Sequence, residues 1–86
     1  MISLRAKIIH LQLEPDSRFS ARAEVVVPEK IVFVELFNLP SGVHATNLSD
    51  VAPTTQELLI YGDGVPPFKV GDTLSARGFT RDELPD

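Results

Sequence analysis

Between Phe19 and Val27 every second residue is apolar, and this period of two constrains the fold more than any other feature of the sequence. Because successive side chains of a strand point to opposite faces, one face of this segment is apolar and the other is mainly polar. Proline and glycine divide the rest of the chain into similar short segments. None of these has the 3.6-residue period of an amphipathic helix, so the sequence predicts an all-β protein.

The first predicted strand runs from about Ile2 to Glu14, and its apolar phase changes in the middle. Up to Ile8 the apolar residues occupy even positions, whereas from Ile9 to Leu13 they occupy odd positions. One extra residue at Ile8-Ile9 would keep a single face buried, which is what a β-bulge does. A strand that is buried on both sides at this point is the alternative. We favour the bulge, because a bent first strand can serve both halves of a closed barrel.

Four further strands complete the prediction, at residues 19–27, 31–39, 57–62 and 73–81. The first three strands follow one another across short turns and should form an antiparallel meander. A connection of about 17 residues, long enough to carry structure of its own, separates the third strand from the fourth. Gly42 and Pro53 exclude one long helix there, but a single helical turn at residues 47–50 fits the sequence. This pattern predicts a small five-stranded antiparallel Greek-key barrel of the OB type.

The composition indicates one small domain without a set of catalytic residues. A chain of 86 residues fits a single barrel over residues 1–86, and we expect the acidic tail at residues 82–86 to be flexible. Cysteine is absent, and the two histidines are far apart in the sequence. We therefore expect no enzyme activity, catalytic residue, metal or cofactor. Without a membrane-spanning run or a signal-peptide core, the predicted location is the cytoplasm.

Glu35 interrupts an otherwise apolar third strand and predicts which face of that strand is exposed. An unpaired buried carboxylate costs several kcal/mol, so Glu35 should face water. Strand parity then places Ile31, Phe33, Phe37 and Leu39 on the same outer face. The residues predicted for the core are Val32, Val34 and Leu36. Two phenylalanine side chains on an outer face usually mark a contact site.

Several interpretations of this face remain open at the level of sequence. The segment 39–56 could fold over the two phenylalanine rings, or the rings could form a homodimer seam. Glu35 could instead be buried and paired with Arg22 or Arg77. In that case the assignment of the two faces would invert.

Residues 57–82 contain three short motifs: IYG at residues 60–62, VGD at residues 70–72 and RGFTR at residues 77–81. This segment resembles the region from the fourth to the fifth strand of bacterial single-stranded DNA-binding proteins and of the related primosomal OB proteins. The similarity covers under a third of the chain. It implies an OB fold and binding of single-stranded nucleic acid.

We predict a small non-enzymatic binding module whose leading ligand is single-stranded nucleic acid, bound on the face of the second, third and fifth strands. Bases would stack on aromatic rings, and arginines would contact phosphates. The candidate binding residues are Phe33, Phe37, Arg22, Arg77, Phe79 and Arg81. The net charge of −4 and the carboxylate of Glu35 favour the alternative, a protein partner or homo-oligomer that uses the same apolar face.

Overall fold

The computed structural model describes residues 1–51 and 53–84, and of Asp50 only the main chain. It is all-β, as the sequence predicts. The strands are β1 (Ile2–Glu14), β2 (Arg18–Val26), β3 (Ile31–Leu36), β4 (Val43–Ala45), β5 (Leu48–Val51), β6 (Thr55–Asp63) and β7 (Thr73–Phe79). They pair antiparallel in one sheet, in the order β4-β6-β2-β1-β7-β3-β5, which curls into a half-barrel. The number of strands in the described residues is therefore seven, and the prediction of five is wrong.

β1 bends at the predicted β-bulge. Its register with β2 shifts between Ile8 and His10, which makes Ile9 the extra residue. Residues 2–7 of β1 pair with β7, and residues 6–14 pair with β2. Ile8 is fully buried before the bulge, and Leu11 packs against the core after it. The change of phase in the sequence thus corresponds to one bent strand with two partners.

The core lies on the inner, concave face of the curled sheet. Alternate residues of β2 contribute to it, as the two-residue period predicts. The largest fully buried side chains are Phe19, Ile8, Ile31, Leu58, Ile60, Val25 and Val34. At one end of the core the ring of Phe19 meets the ring of Phe68 edge-on, with 5.6 Å between centroids and an interplanar angle of 86°. This pair attaches the loop between β6 and β7 to the sheet.

β3 does not lie beside β2, so the predicted meander of the first three strands is wrong. β2 pairs with β1 and β6, whereas β3 pairs with β7 and β5. Residues 27–30 carry the chain from β2 past β1 and β7 to the far part of the sheet. An alternating pattern identifies the faces of a strand but not its neighbours, and for this reason the period of two could not reveal the crossover.

The segment between β3 and β6 contains two short edge strands, and the predicted helical turn at residues 47–50 is wrong. β4 pairs with β6, and β5 pairs with β3. In an extended conformation Val51 becomes almost completely buried and Leu48 packs against the core. β5 therefore lies beside β3 in the sheet, where it extends the outer face.

Beyond β7 the chain forms a three-residue 3-10 helix, Arg81–Glu83, where the sequence predicted that the strand would reach Arg81 and that a flexible tail would follow. The Thr80 N–H and the Thr80 hydroxyl both donate to Oε1 of Glu83, at 2.8 and 3.0 Å. Glu83 also pairs with the amino terminus at Met1. Of the acidic tail at 82–86, residues 85 and 86 lie outside the described residues. No helix in the described part of the chain has the length and apolar character needed to cross a membrane.

Candidate nucleic-acid interface

Four of the six candidate binding residues meet on the outer face of β3 and β7. In the register of these strands Phe33 lies opposite Phe79, and Glu35 lies opposite Arg77. The rings of Phe33 and Phe79 are 6.2 Å apart between centroids and tilted by 46°. Phe37 follows β3 and continues its pairing, because its N–H donates to the carbonyl of Ser75 at 3.2 Å. We call Phe33, Glu35, Phe37, Arg77 and Phe79 the aromatic face.

Arg77 connects the parts of the aromatic face. Its Nε–H donates to Oε1 of Glu35 at 2.7 Å, across the two strands. Its Cζ atom lies 4.9 Å from the ring centroid of Phe37 and 5.8 Å from that of Phe79. A guanidinium at these distances is attracted to both rings by a cation–π interaction. Arg77 therefore holds a carboxylate and two rings in a fixed relation on a partly exposed surface.

Glu35 faces outward and is also paired, so the two sequence-based interpretations of this residue each hold in part. Its side chain is 25% exposed, and that of Arg77 is 38% exposed. Of the two partners that the sequence offers for Glu35, the structure selects Arg77. This pairing does not exchange the inner and outer faces of β3. Val34 is completely buried and Leu36 nearly so, as parity around an outward Glu35 predicts. The rings of Phe33 and Phe37 are half-buried.

Parity fails at both ends of the third strand. Ile31, predicted outside, is only 1% exposed. Its side chain occupies the space that Gly78 leaves open, since a Cβ on Gly78 would lie 2.7 Å from Cδ1 of Ile31. Val32, predicted in the core, is half-buried, and Leu39, predicted outside, packs against the core. β3 ends at Leu36, and the chain then turns through a positive φ of 58° at Asn38, so the alternation does not extend to Leu39.

The other two candidates, Arg22 and Arg81, take no part in the contacts that join the aromatic face. Arg22 is on β2, which β1 separates from β7, and its Nη1 is 3.5 Å from Oε1 of Glu57. Arg81 is in the 3-10 helix, where it lines a cavity of about 660 Å³ together with Lys30 and Val51. The sequence shows that both residues are polar and on outer positions, but it does not give the register that would place them.

Two further cations lie next to the aromatic face, and sequence reasoning missed them. Arg5 is opposite Ser75 and Lys7 is opposite Thr73 in the pairing of β1 with β7. Both side chains are exposed. A groove of about 350 Å³ is lined by Arg5, Phe37 and Ser75, among others. The sequence does show that Arg5 and Lys7 face outward, because they alternate with apolar residues of β1. It does not show the pairing of β1 with β7 that brings them to this site.

The three motifs behind the resemblance have structural roles in this fold. Gly62 is buried, and a Cβ there would lie 2.7 Å from Cζ of Phe19. Gly71 has a φ of 99°, a conformation that glycine adopts without strain. The carboxylate of Asp72 accepts a hydrogen bond from the N–H of Lys69 at 3.0 Å, which closes the turn before β7. Tyr61 is exposed and near His44, at the opposite end of the sheet from the aromatic face.

Comparisons with protein-family models, with curated proteins and with solved structures find no match to this chain. The function is therefore inferred from the geometry of the site.

Stability measurements on β3 test which side of the strand is the core. We expect Val34→Ala to lower the free energy of unfolding by about 1–3 kcal/mol, because a completely buried side chain leaves a cavity. Phe37→Leu should cost under about 1.5 kcal/mol, because the side chain is half-buried and remains apolar. Urea unfolding of both variants, compared at equal m-values, gives the two numbers. A larger loss for Phe37→Leu than for Val34→Ala would contradict the outward assignment of the aromatic face.

Proposed function

We propose that this protein binds single-stranded nucleic acid on the aromatic face. The observation that carries the proposal is the grouping of three phenylalanine rings with the guanidinium of Arg77 on one partly exposed side of the sheet. Bases stack on aromatic rings in a sequence-tolerant way, and each stacked base contributes about 1–3 kcal/mol. Planar guanidinium groups also stack on bases, so Arg77 adds to the same surface.

The distribution of charge also supports the proposal, although the chain as a whole is acidic. The carboxylate of the aromatic face belongs to Glu35, and its charge is balanced by Arg77. The outward positions of β1 beside β7 are Ser3, Arg5 and Lys7, which carry no negative charge. A local positive potential can attract phosphates even when the net charge is −4.

The relation to OB-type barrels is part of this proposal. A bent first strand, a curled antiparallel sheet and a glycine turn before the closing strand support it. The placement of β3 beside β7, together with the two extra edge strands, differs from the arrangement predicted from the sequence. We also propose that the protein acts in the cytoplasm, since a chain without cysteine suits a reducing compartment.

Fluorescence anisotropy with a labelled oligothymidylate tests the proposed binding. An oligonucleotide of about 12 nucleotides covers the site size of one small barrel. We expect binding at about 50 mM salt that weakens steeply by about 200 mM. Phe37→Leu and Phe79→Leu should each weaken it by roughly 5- to 150-fold, the equivalent of losing one stacked base.

Tyr61→Leu is the matched control, because Tyr61 is also an exposed aromatic residue but lies at the other end of the sheet. Its affinity should equal that of the unaltered protein. The proposal fails if the protein does not bind at low salt. It also fails if the two phenylalanine variants bind as tightly as the Tyr61 variant.

A second candidate is self-association, or binding of a protein partner, on the same face. The pairing of Glu35 with Arg77 favours it, since the five residues then present three rings and no net charge. Light scattering over a concentration series gives the oligomeric state. A mass that rises with concentration, and that Phe37→Leu returns to the monomer value, would support this candidate. If the oligonucleotide prevents the rise, both ligands use one surface.

A further inference from the structure

Arg5 and Lys7 form a row of positive charge on β1 that runs beside the aromatic face. They point outward because they alternate with Ala6 and Ile8, which are completely buried. Neither cation takes part in an ion pair among the described residues. On the side of β2, Lys7 lies opposite Glu24, which is half-buried. On the side of β7 the two cations face hydroxyl side chains.

Those hydroxyl residues, Thr73 and Ser75, lie on β7, the strand next to the two cations. Ser75 is opposite Arg5 on one side and accepts the hydrogen bond of the Phe37 N–H on the other. Arg5, Ser75 and Phe37 thus form one row across three neighbouring strands. Strands are about 4.8 Å apart, so the ends of this row are separated by about 10 Å. A cation, a small polar residue and an aromatic ring follow one another over that distance.

The same order suits one nucleotide, which has a phosphate at one side, a sugar in the middle and a base at the other side. Successive rows along β7 are two residues apart, or about 6.4–6.8 Å. That interval is comparable to the separation of neighbouring phosphates in an extended single strand. Lys7 with Thr73 forms the row on one side of Arg5. Ser3, Arg77 and Glu35 form the row on the other side, and Phe79 lies opposite Phe33 in the row after that.

We infer that the nucleic acid lies along β7, with its phosphates on Arg5 and Lys7 and its bases on Phe37 and Phe79. This inference rests on the proposed function and adds an orientation to it. The short side chains of Thr73 and Ser75 leave room on β7 for the sugars, between the phosphates and the bases. The two cations contact the phosphates of the nucleic acid and make no contact with the base edges, so they add affinity without sequence specificity.

The salt dependence of binding separates the two kinds of contact. For single strands the slope of log K against log salt concentration is about −0.7 for each phosphate neutralised. Arg5→Gln and Lys7→Gln should each make the slope less steep by about 0.7, and the double variant by about 1.4. Phe37→Leu should weaken binding without a change of slope, because a stacking contact releases no counterion.

Arg18→Gln is the control for loss of one positive charge. Arg18 is exposed and lies opposite Glu14, about 30 Å along β1 from Arg5. The salt-dependence slope of the Arg18→Gln variant should match that of the unaltered protein. The orientation is wrong if the protein binds, the phenylalanine variants bind less tightly, and the Arg5 and Lys7 variants keep the full slope. That result leaves the proposed function intact, whereas a protein that does not bind at low salt refutes both.

Discussion

Replacing Phe19 with alanine should lower the free energy of unfolding by about 3–5 kcal/mol, the cost typical of deleting a buried aromatic ring. Phe19 is 1% exposed and meets the ring of Phe68 edge-on. It also covers the backbone of β6 at Gly62. A small domain has a total stability of about 5–15 kcal/mol, so this single change should remove a large part of the total.

Leu13→Ala is the control for this measurement. Leu13 lies opposite Phe19 in the pairing of β1 with β2, but its side chain is 71% exposed. Its truncation should change the stability by less than about 0.5 kcal/mol. Urea unfolding followed by circular dichroism gives both values. Similar losses for the two variants would mean that Phe19 is not the centre of this end of the core.

The second large effect concerns the two buried glycines of β6 and β7. A methyl group on Gly62 would lie 2.7 Å from Cζ of Phe19 and 2.8 Å from the carbonyl oxygen of Gly42. The main chain at Gly42 cannot move without disturbing the turn before β4, so both contacts are costly. Gly62→Ala should therefore lower the stability by about 3 kcal/mol, the upper end of the range for overpacking.

Gly78→Ala provides the comparison, because the new methyl group would clash with side-chain atoms and not with the main chain. The closest atom to a methyl group there is Cδ1 of Ile31 at 2.7 Å, and the next contacts are 3.2 and 3.3 Å, also with side chains. Cδ1 is the terminal atom of the Ile31 side chain and moves by rotation about χ2, so we expect a loss of about 1 kcal/mol. Thermal unfolding of the two variants measures the difference. If Gly78→Ala is the more destabilising variant, the close contact between Gly62 and Gly42 is not the limiting one.

Sequence patterns identified what depends on one strand alone. The phase change at Ile8-Ile9 gave the bulge, and the alternation of β2 gave its buried face. A single carboxylate, Glu35, identified the inward side of the middle of β3, because an unpaired carboxylate is costly to bury whichever strand lies beside it. These features are local, and a period of two records them directly.

The sequence could not show what depends on pairing between strands. The side-chain pattern of β3 is the same whether β2 or β7 lies beside it, so the crossover was missed. For the same reason Arg22 was included in the site and Arg5 was not, although both alternate with buried residues. β4 and β5 are so short that no period is visible within them, and Gly42 and Pro53 made their surroundings look like a loop.

The position of β7 determines how the fold must assemble. Among the described residues it is the strand that joins β4-β6-β2-β1 to β3-β5 through hydrogen bonds. Its partner residues on β1 lie about 70 positions earlier in the chain, which gives the fold a high contact order. Closing that long loop lowers the conformational entropy of the chain, and this cost arises before the two groups of strands can share a core. The surface on which we place the ligand therefore exists only after β7 has been inserted, so binding and complete folding should be lost together.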